Sequence, residues 1–124
     1  RKFISIYKIH FNENVKIIDP VGYFDMLQLL KFSSYVITDS GGVQRETYLM
    51  HKKSLLLMEY TPWEELIDNK FSCVSKIKNK DILQNFLKMK ILKPDFSKNL
   101  YGDGNTAETI VSEIINLYGN QNVQ

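Results

Sequence analysis

Residues 38–46 read Thr-Asp-Ser-Gly-Gly-Val-Gln-Arg-Glu and directly follow the apolar run Tyr35-Val36-Ile37. A serine, two glycines and a carboxylate one helical turn later are groups that a phosphorylated ligand can use. The apolar run has the pattern of a strand and the residues from Gly42 onward that of an amphipathic helix, so Gly41 and Gly42 lie at the handover. A helix starting there presents unpaired backbone N–H groups and a partial positive charge, a natural seat for phosphate. Glycine lets the phosphate approach a backbone that a Cβ would hold away. The Ser40 hydroxyl can donate to a phosphate oxygen. Glu46 lies four residues beyond Gly42 on the same helical face, about 6 Å along the axis. A carboxylate touching a diphosphate would repel it, but at that distance it accepts hydrogen bonds from a vicinal diol such as a ribose. The spacing suits a nucleotide, with the diphosphate on the glycines and the ribose on the acid. It is also the spacing of a plain capped turn followed by an exposed helical glutamate.

The elements that must hold this turn alternate along the chain. Residues 3–9 read as the end of a helix, 12–14 as a turn, and 15–18 as a short β-branched strand closed by Asp19-Pro20. Residues 23–32 read as a helix whose inner side carries Tyr23, Phe24, Leu27 and Leu30. A strand over 34–38 leads into a helix over 42–50 with Val43, Thr47 and Met50 on one face. A strand over 54–58, rich in leucine, reads as buried on both faces. Residues 62–68 predict a short helix with Pro62 in its first turn, Thr61 as cap and Glu64 completing a capping box. A strand over 71–74 and a helix over 79–89, with Ile82, Leu83, Phe86 and Leu87 inward, come next. The last helix, 105–118, carries the stripe Ala107, Ile110, Val111, Ile114 and Leu117, with Asn105 as cap and Glu108 as its capping-box partner. Residues 119–124 read as a frayed tail. Four strands alternating with helices predict an α/β domain with a parallel sheet covered on both faces, its ligand beyond the carboxyl ends of the strands.

Composition narrows the function classes. The chain has 124 residues, 44% hydrophobic and 24% charged, with a net charge of +2, which suits one soluble domain. Its richest basic stretch, residues 76–80, reads as a solvated loop, since no aromatic residues interleave to stack bases; nucleic acid is not an expected partner. No apolar run approaches the roughly 18 residues of a membrane span. Cys73 is the single cysteine, so no intrachain disulfide forms; it reads as a core thiol in a reducing, cytoplasmic setting. No His, Cys, Asp and Glu spacing supports a metal site, and no cofactor is implied. His51 follows the 42–50 helix, where a cation suits the dipole, and His10 reads as a surface residue. Arg45 reads as exposed on the outer side of its helix. Glu64 and Glu65 are adjacent and point apart, one to solvent and one to the helix dipole. Trp63 lies where ligands bind, with core packing and ligand contact both open. Gly102 and Gly104 form either a second backbone anion site or a turn. Arg, not Met, stands first, so the chain reads as a piece of something longer.

Four stretches resemble one family in order and spacing. The Thr38–Glu46 string is similar to the Asp-Ser-Gly-Gly-apolar-Gln-x-Glu signature of UDP-N-acetylglucosamine 2-epimerases. Ile18-Asp19-Pro20-Val21-Gly22-Tyr23 resembles the family's approach to the preceding helix. Residues 61–67, Thr-Pro-Trp-Glu-Glu-Leu-Ile, are similar to a Thr-Glu-Trp-Val-Glu-Leu-Val stretch. That version is commoner in the branch acting on 2,3-diacetamido uronic acid nucleotides and in archaeal-type members. Tyr101-Gly102-Asp103-Gly104 resembles the segment before the family's last helix. The resemblance spans roughly residues 15–118 and implies a GT-B architecture of two Rossmann-like domains, with this chain as most of the UDP-binding C-terminal one. It implies that Ser40, Gly41 and Gly42 hold the diphosphate and Glu46 the ribose, with Thr61, Trp63 and Gly102 as further substrate contacts. The reaction implied is inversion at C2 of a UDP-sugar through elimination and re-addition of UDP. Its acids and bases belong to an absent N-terminal domain, so no catalytic residue is expected here. A homodimer is compatible with the family. Departures are Met58 where the family usually has Arg, Lys52-Lys53-Ser54 in place of a turn ending in Pro, and Arg45 where an acid is common. A GT-B glycosyltransferase and a non-catalytic nucleotide-sugar-binding module remain alternatives, Met58 being the main argument for the second.

Overall fold

A computed structural model of the chain describes residues 2–119. Three parallel strands, β1 (Tyr35–Thr38), β2 (Lys53–Leu56) and β3 (Ser72–Val74), pair in the order β1-β2-β3. The helices are α1 (Lys2–Ile6), α2 (Tyr23–Phe32), α3 (Gly41–Leu49), α4 (Glu64–Asp68), α5 (Asn79–Ile91) and α6 (Thr106–Tyr118). The α/β class and the parallel sheet are as the alternation predicts. Among the described residues no helix is long and apolar enough to cross a membrane.

The central strand explains the core. β2 is flanked by strands on both edges and packed by α3 and α5, so Ser54, Leu55 and Leu56 are all buried, as an interior parallel strand requires. In register with it, Ser54 faces Ser72, and their hydroxyls share a buried hydrogen bond of 2.6 Å. Beyond the sheet, Tyr48, Leu66 and Phe71 form a cluster joined by Trp63, Phe96, Leu100 and Tyr101.

Several sequence expectations need correction. Residues 15–18 form no strand. A strand exists only through its ladder, and no described segment lies alongside. Val15, Ile17 and Ile18 are accordingly left exposed. On α2, Leu30 is buried but Tyr23 and Phe24 are exposed, pairing edge to face with each other. α5 turns Ile82, Phe86 and Met89 inward, with Met89 fully buried and Leu83 and Leu87 outside. On α3 the buried side is Gln44, Thr47 and Tyr48, while Val43 and Met50 are only half-buried. The stripe on α6 is exposed along its length. Pro62 and Thr61 precede α4, which starts at Glu64 with no side-chain cap.

Local chemistry ends the helices and ties down the long loop. Met50 closes α3; the amides of His51 and Lys52 then donate to the carbonyls of Tyr48 and Thr47, a Schellman motif. α4 repeats it, with the amides of Lys70 and Phe71 donating to Ile67 and Leu66. In both, the left-handed position is held by a non-glycine residue, His51 at φ 54° and Lys70 at φ 66°. His51 therefore serves through its backbone, and its ring stacks on Phe96 at 5.4 Å. Lys53 Nζ donates to the carbonyls of Lys90 (2.7 Å) and Leu92 (3.0 Å), satisfying the carboxyl end of α5. Burial draws the Lys53 pKa down. Cys73 is half-buried, and burial pushes its thiol up. Residues 120–124 of the expected frayed tail lie outside the described residues.

Candidate functional site

The Ser40–Gly42 turn leaves β1 at its carboxyl end and opens α3. The Ser40 amide donates to Thr38 Oγ1 at 3.1 Å, and Ser40 Oγ accepts from the Val43 amide at 3.4 Å. Ser40 is thus the N-cap, and its hydroxyl proton stays available to another acceptor. Gly41 and Gly42 are the first two helical positions, whose amides have no intrahelical acceptor. Both expected features of an anion seat, the free amides and the dipole end, are in place.

The two glycines differ in what surrounds them. A Cβ on Gly41 would lie 3.2 Å from Trp63 Nε1 and 3.6 Å from Pro62 Cγ. A side chain at 41 would press on the Trp63 loop, which would have to give by a few tenths of an ångström, a reason for glycine that the spacing did not reveal. A Cβ on Gly42 would meet only Ser40 Oγ at 3.7 Å, so that side is open to a ligand. Glu46, one turn on, is half-buried, and no protein hydrogen bond engages its carboxylate among the described residues.

The loop between β2 and α4 folds onto this turn through a residue the sequence reading passed over. Gln44 is fully buried, and its Oε1 accepts from Thr61 Oγ1 at 2.7 Å. The same hydroxyl oxygen accepts from the Trp63 amide at 3.1 Å. Thr61 thus pins its loop to α3 and is not a helix cap. Two buried donors, Gln44 Nε2 and Trp63 Nε1, have no acceptor among the described residues.

A third segment joins them. Tyr48 donates its hydroxyl proton to the Lys98 carbonyl at 2.6 Å and accepts from the Leu100 amide at 3.0 Å, which brings Tyr101 over α3. The guanidinium of Arg45 lies 4.3 Å from the Trp63 ring and 4.8 Å from the Tyr101 ring. Arg45 thus packs over two aromatic rings and is not on the outer side of α3. Tyr101 donates to Glu65 Oε1 at 2.7 Å. Burial, and then that hydrogen bond, push the Tyr101 phenol well above its usual pKa. Glu65 is therefore engaged by a partner and not given over to the helix dipole alone. Nothing in local spacing connects Tyr101 to Glu65, which are 36 positions apart.

Gly102 and Gly104 follow with φ of 78° and 91°, conformations that favour glycine. The turn they make explains both. The Asn105 side chain and amide donate to Asp103. They hold the Asp103 carboxyl below its usual pKa, with the amide contributing most. Asn105 is the N-cap position of α6 but caps nothing with its side chain, so the expected capping box does not form.

Two open cavities lie past the carboxyl ends of β2 and β3. One, of about 310 Å³, is lined by Met58, Glu59, Lys76, Ile77 and Lys78. The other, of about 220 Å³, is lined by Tyr60, Thr61, Glu64, Ile67, Asp68 and Val74. Ser40, Gly41, Gly42, Glu46 and Gly102 line neither. Of the residues singled out in the sequence, Ser40, Gly41 and Trp63 come together directly. Thr61 joins them through Gln44, and Gly102 through its neighbour Tyr101.

Comparison with known proteins follows the same residues. The family model for UDP-N-acetylglucosamine 2-epimerase matches residues 1–115. A UDP-N-acetylglucosamine 2-epimerase of Methanococcus maripaludis is 36% identical over 112 residues, covering 90% of this chain and 30% of its own. The UDP-2,3-diacetamido-2,3-dideoxy-D-glucuronate 2-epimerase of Pseudomonas aeruginosa is 42% identical over 62 residues, 50% of this chain and 18% of that protein. Among solved structures, the Methanocaldococcus jannaschii UDP-GlcNAc 2-epimerase in complex with UDP-GlcNAc and UDP superposes with a TM-score of 0.78. It is 29% identical and covers 91% of this chain and 31% of that one. The chain spans about a third of the length of the curated relatives it matches. With the parallel sheet, the glycine turn at the end of β1 and a match over residues 1–115, the chain belongs to the UDP-N-acetylglucosamine 2-epimerase family.

Proposed function

We propose that this chain is the UDP-binding, C-terminal part of an enzyme that inverts C2 of a UDP-N-acetylhexosamine. The amides of Gly41 and Gly42 and the Ser40 hydroxyl receive the diphosphate. Glu46 accepts from the ribose hydroxyls. Thr61 and Trp63 shape the wall beside them, and Gly102 carries the facing loop. The reaction proceeds by loss of UDP from C1 and of the proton from C2, leaving a 2-acetamidoglycal. Re-addition of UDP at C1 and of a proton to the opposite face at C2 gives the epimer. A preceding domain supplies the acids and bases, and no residue of this chain is assigned a catalytic role.

The observation that supports this reading is the first turn of α3: two glycine amides without an intrahelical acceptor, open on the Gly42 side, with a carboxylate one turn along that no hydrogen bond engages among the described residues. Glu46→Ala in the full-length protein is expected to weaken UDP binding by about 1.5–3 kcal/mol, the scale of a hydrogen bond to a charged group. Isothermal calorimetry giving an unchanged affinity would remove Glu46 from the site. Met58 supports a second reading, a nucleotide-sugar-binding module without turnover. At the end of β2 it offers no charge where the resemblance leads one to expect an arginine. Incubating full-length protein with UDP-GlcNAc decides among the readings: UDP-ManNAc marks the epimerase, sugar on an acceptor marks a transferase, and binding without product marks the module.

A further inference from the structure

We propose that Arg45 is a positioning residue of the nucleotide site, its guanidinium holding two loops in place over the first turn of α3. This inference rests on the nucleotide reading above and deepens it.

Five contacts link three segments. Trp63 Nε1 lies against Gly41, so close that a Cβ there would sit at 3.2 Å. Arg45 faces the Trp63 ring at 4.3 Å and the Tyr101 ring at 4.8 Å. The two rings themselves meet edge to face, 6.3 Å apart. Tyr101 then donates to Glu65 at the start of α4. The cation sits in the corner between two rings set nearly at right angles, where it meets two π systems at once, and the Glu65 carboxylate lies one ring away. Gly102 is the next residue along, so the position of Tyr101 sets where the backbone of that loop passes.

The contacts also explain why the turn is ready for a ligand. Trp63 covers the Gly41 side of the amides and leaves the Gly42 side open. Its indole N–H is buried without an acceptor among the described residues, so no hydrogen bond of that group to them holds the ring down. Arg45 lies over the ring and also over Tyr101 of the facing loop, adding a cation to the hold that Tyr48 has on that loop. With Arg45 in place, the ordering of both loops precedes ligand binding and is not charged against it.

The test titrates UDP calorimetrically into the full-length protein, its Arg45→Ala and its Arg45→Lys variants. Thermal melting and the Trp63 emission, taken as a difference spectrum against Trp63→Phe, are followed in parallel. Arg45→Ala is expected to raise the UDP Kd about tenfold and to shift Trp63 emission to longer wavelength. The melting temperature should fall by no more than about 4 °C. Arg45→Lys, which keeps the charge but not the plane, should recover part of both signals. Wild-type affinity and emission in Arg45→Ala would overturn the proposal, as would a Kd change with unaltered emission. Should Arg45→Ala fail to fold, Tyr101→Leu opens the clamp from its other face, and unchanged affinity there overturns it too. Absence of UDP binding by the wild type strikes the nucleotide reading itself, a result distinct from equal binding by wild type and variant.

Discussion

Gly41 and Gly42 adjoin, yet the structure gives them opposite constraints. Alanine at 41 forces the Trp63 ring to give way, so Gly41→Ala is expected to lower stability and UDP affinity together. Alanine at 42 enters open space and replaces a helical glycine, which stabilises by about 0.5–1 kcal/mol. Gly42→Ala should therefore melt at a higher temperature while binding UDP at least tenfold more weakly; melting curves and calorimetry on the same pair of variants read both. Tyr48 is the other residue with a sharp consequence. Its hydroxyl serves one carbonyl and one amide of the 92–105 loop. Tyr48→Phe is expected to cost about 1–3 kcal/mol in denaturant titration. The capped turn at the end of β1 was legible from residue types alone, because a serine before two glycines after an apolar run suits a helix start. The Arg45 clamp was not, because its partners lie in segments that only the tertiary fold brings together.

Among the elements, the two Schellman ends make the plainest prediction. Lys70 is exposed at φ 66°, a conformation that costs an L-residue about 1 kcal/mol. Lys70→Gly should recover about 0.5–1 kcal/mol in denaturant titration. The gain should be smaller for His51→Gly, which forfeits the stack on Phe96. The loop carrying Tyr101 makes a pH prediction. Its phenol is raised above the usual 10, chiefly by burial and then by Glu65. A raised acid adds stability that is whole below its unfolded pKa and lost as pH climbs toward the folded one. Stability should fall above pH 10, less steeply in Tyr101→Phe, as alkaline denaturant titrations would record. Helices α2, α5 and α6 were legible to within a few residues because a 3.6 period is strong over ten or more positions. Residues 15–18 were misread because β-branched composition speaks for a strand while pairing decides it. Inward faces went wrong where the sheet, not the helix's own pattern, selects them: on α3 Thr47 is buried as expected, but its buried neighbours are Gln44 and Tyr48, although Val43 is more apolar than Gln44.

On the scale of the whole molecule, apolar surface outruns what these residues cover. Phe3, Ile6 and Tyr7 near the start, Phe24 and Phe32 on α2, and the α6 stripe from Ile110 to Leu117 are all exposed. An apolar stripe such as that on α6, left exposed, suits a face covered in a larger assembly, which agrees with the preceding domain proposed above. Amides of residues 110–118 should then exchange at least tenfold more slowly in the longer protein than in this chain alone, read by hydrogen exchange and mass spectrometry. Equal rates would leave the stripe without that partner. The amphipathic pattern of α6 located the stripe, but a pattern does not say whether a cover lies within the same 124 residues, and here the stripe is exposed. The strand order β1-β2-β3 carries one further consequence. Neighbours in space are neighbours in synthesis, and no strand has to be threaded later between two that have already paired. The sheet can therefore grow from one edge as the polypeptide leaves the ribosome, each new βα unit docking on the last.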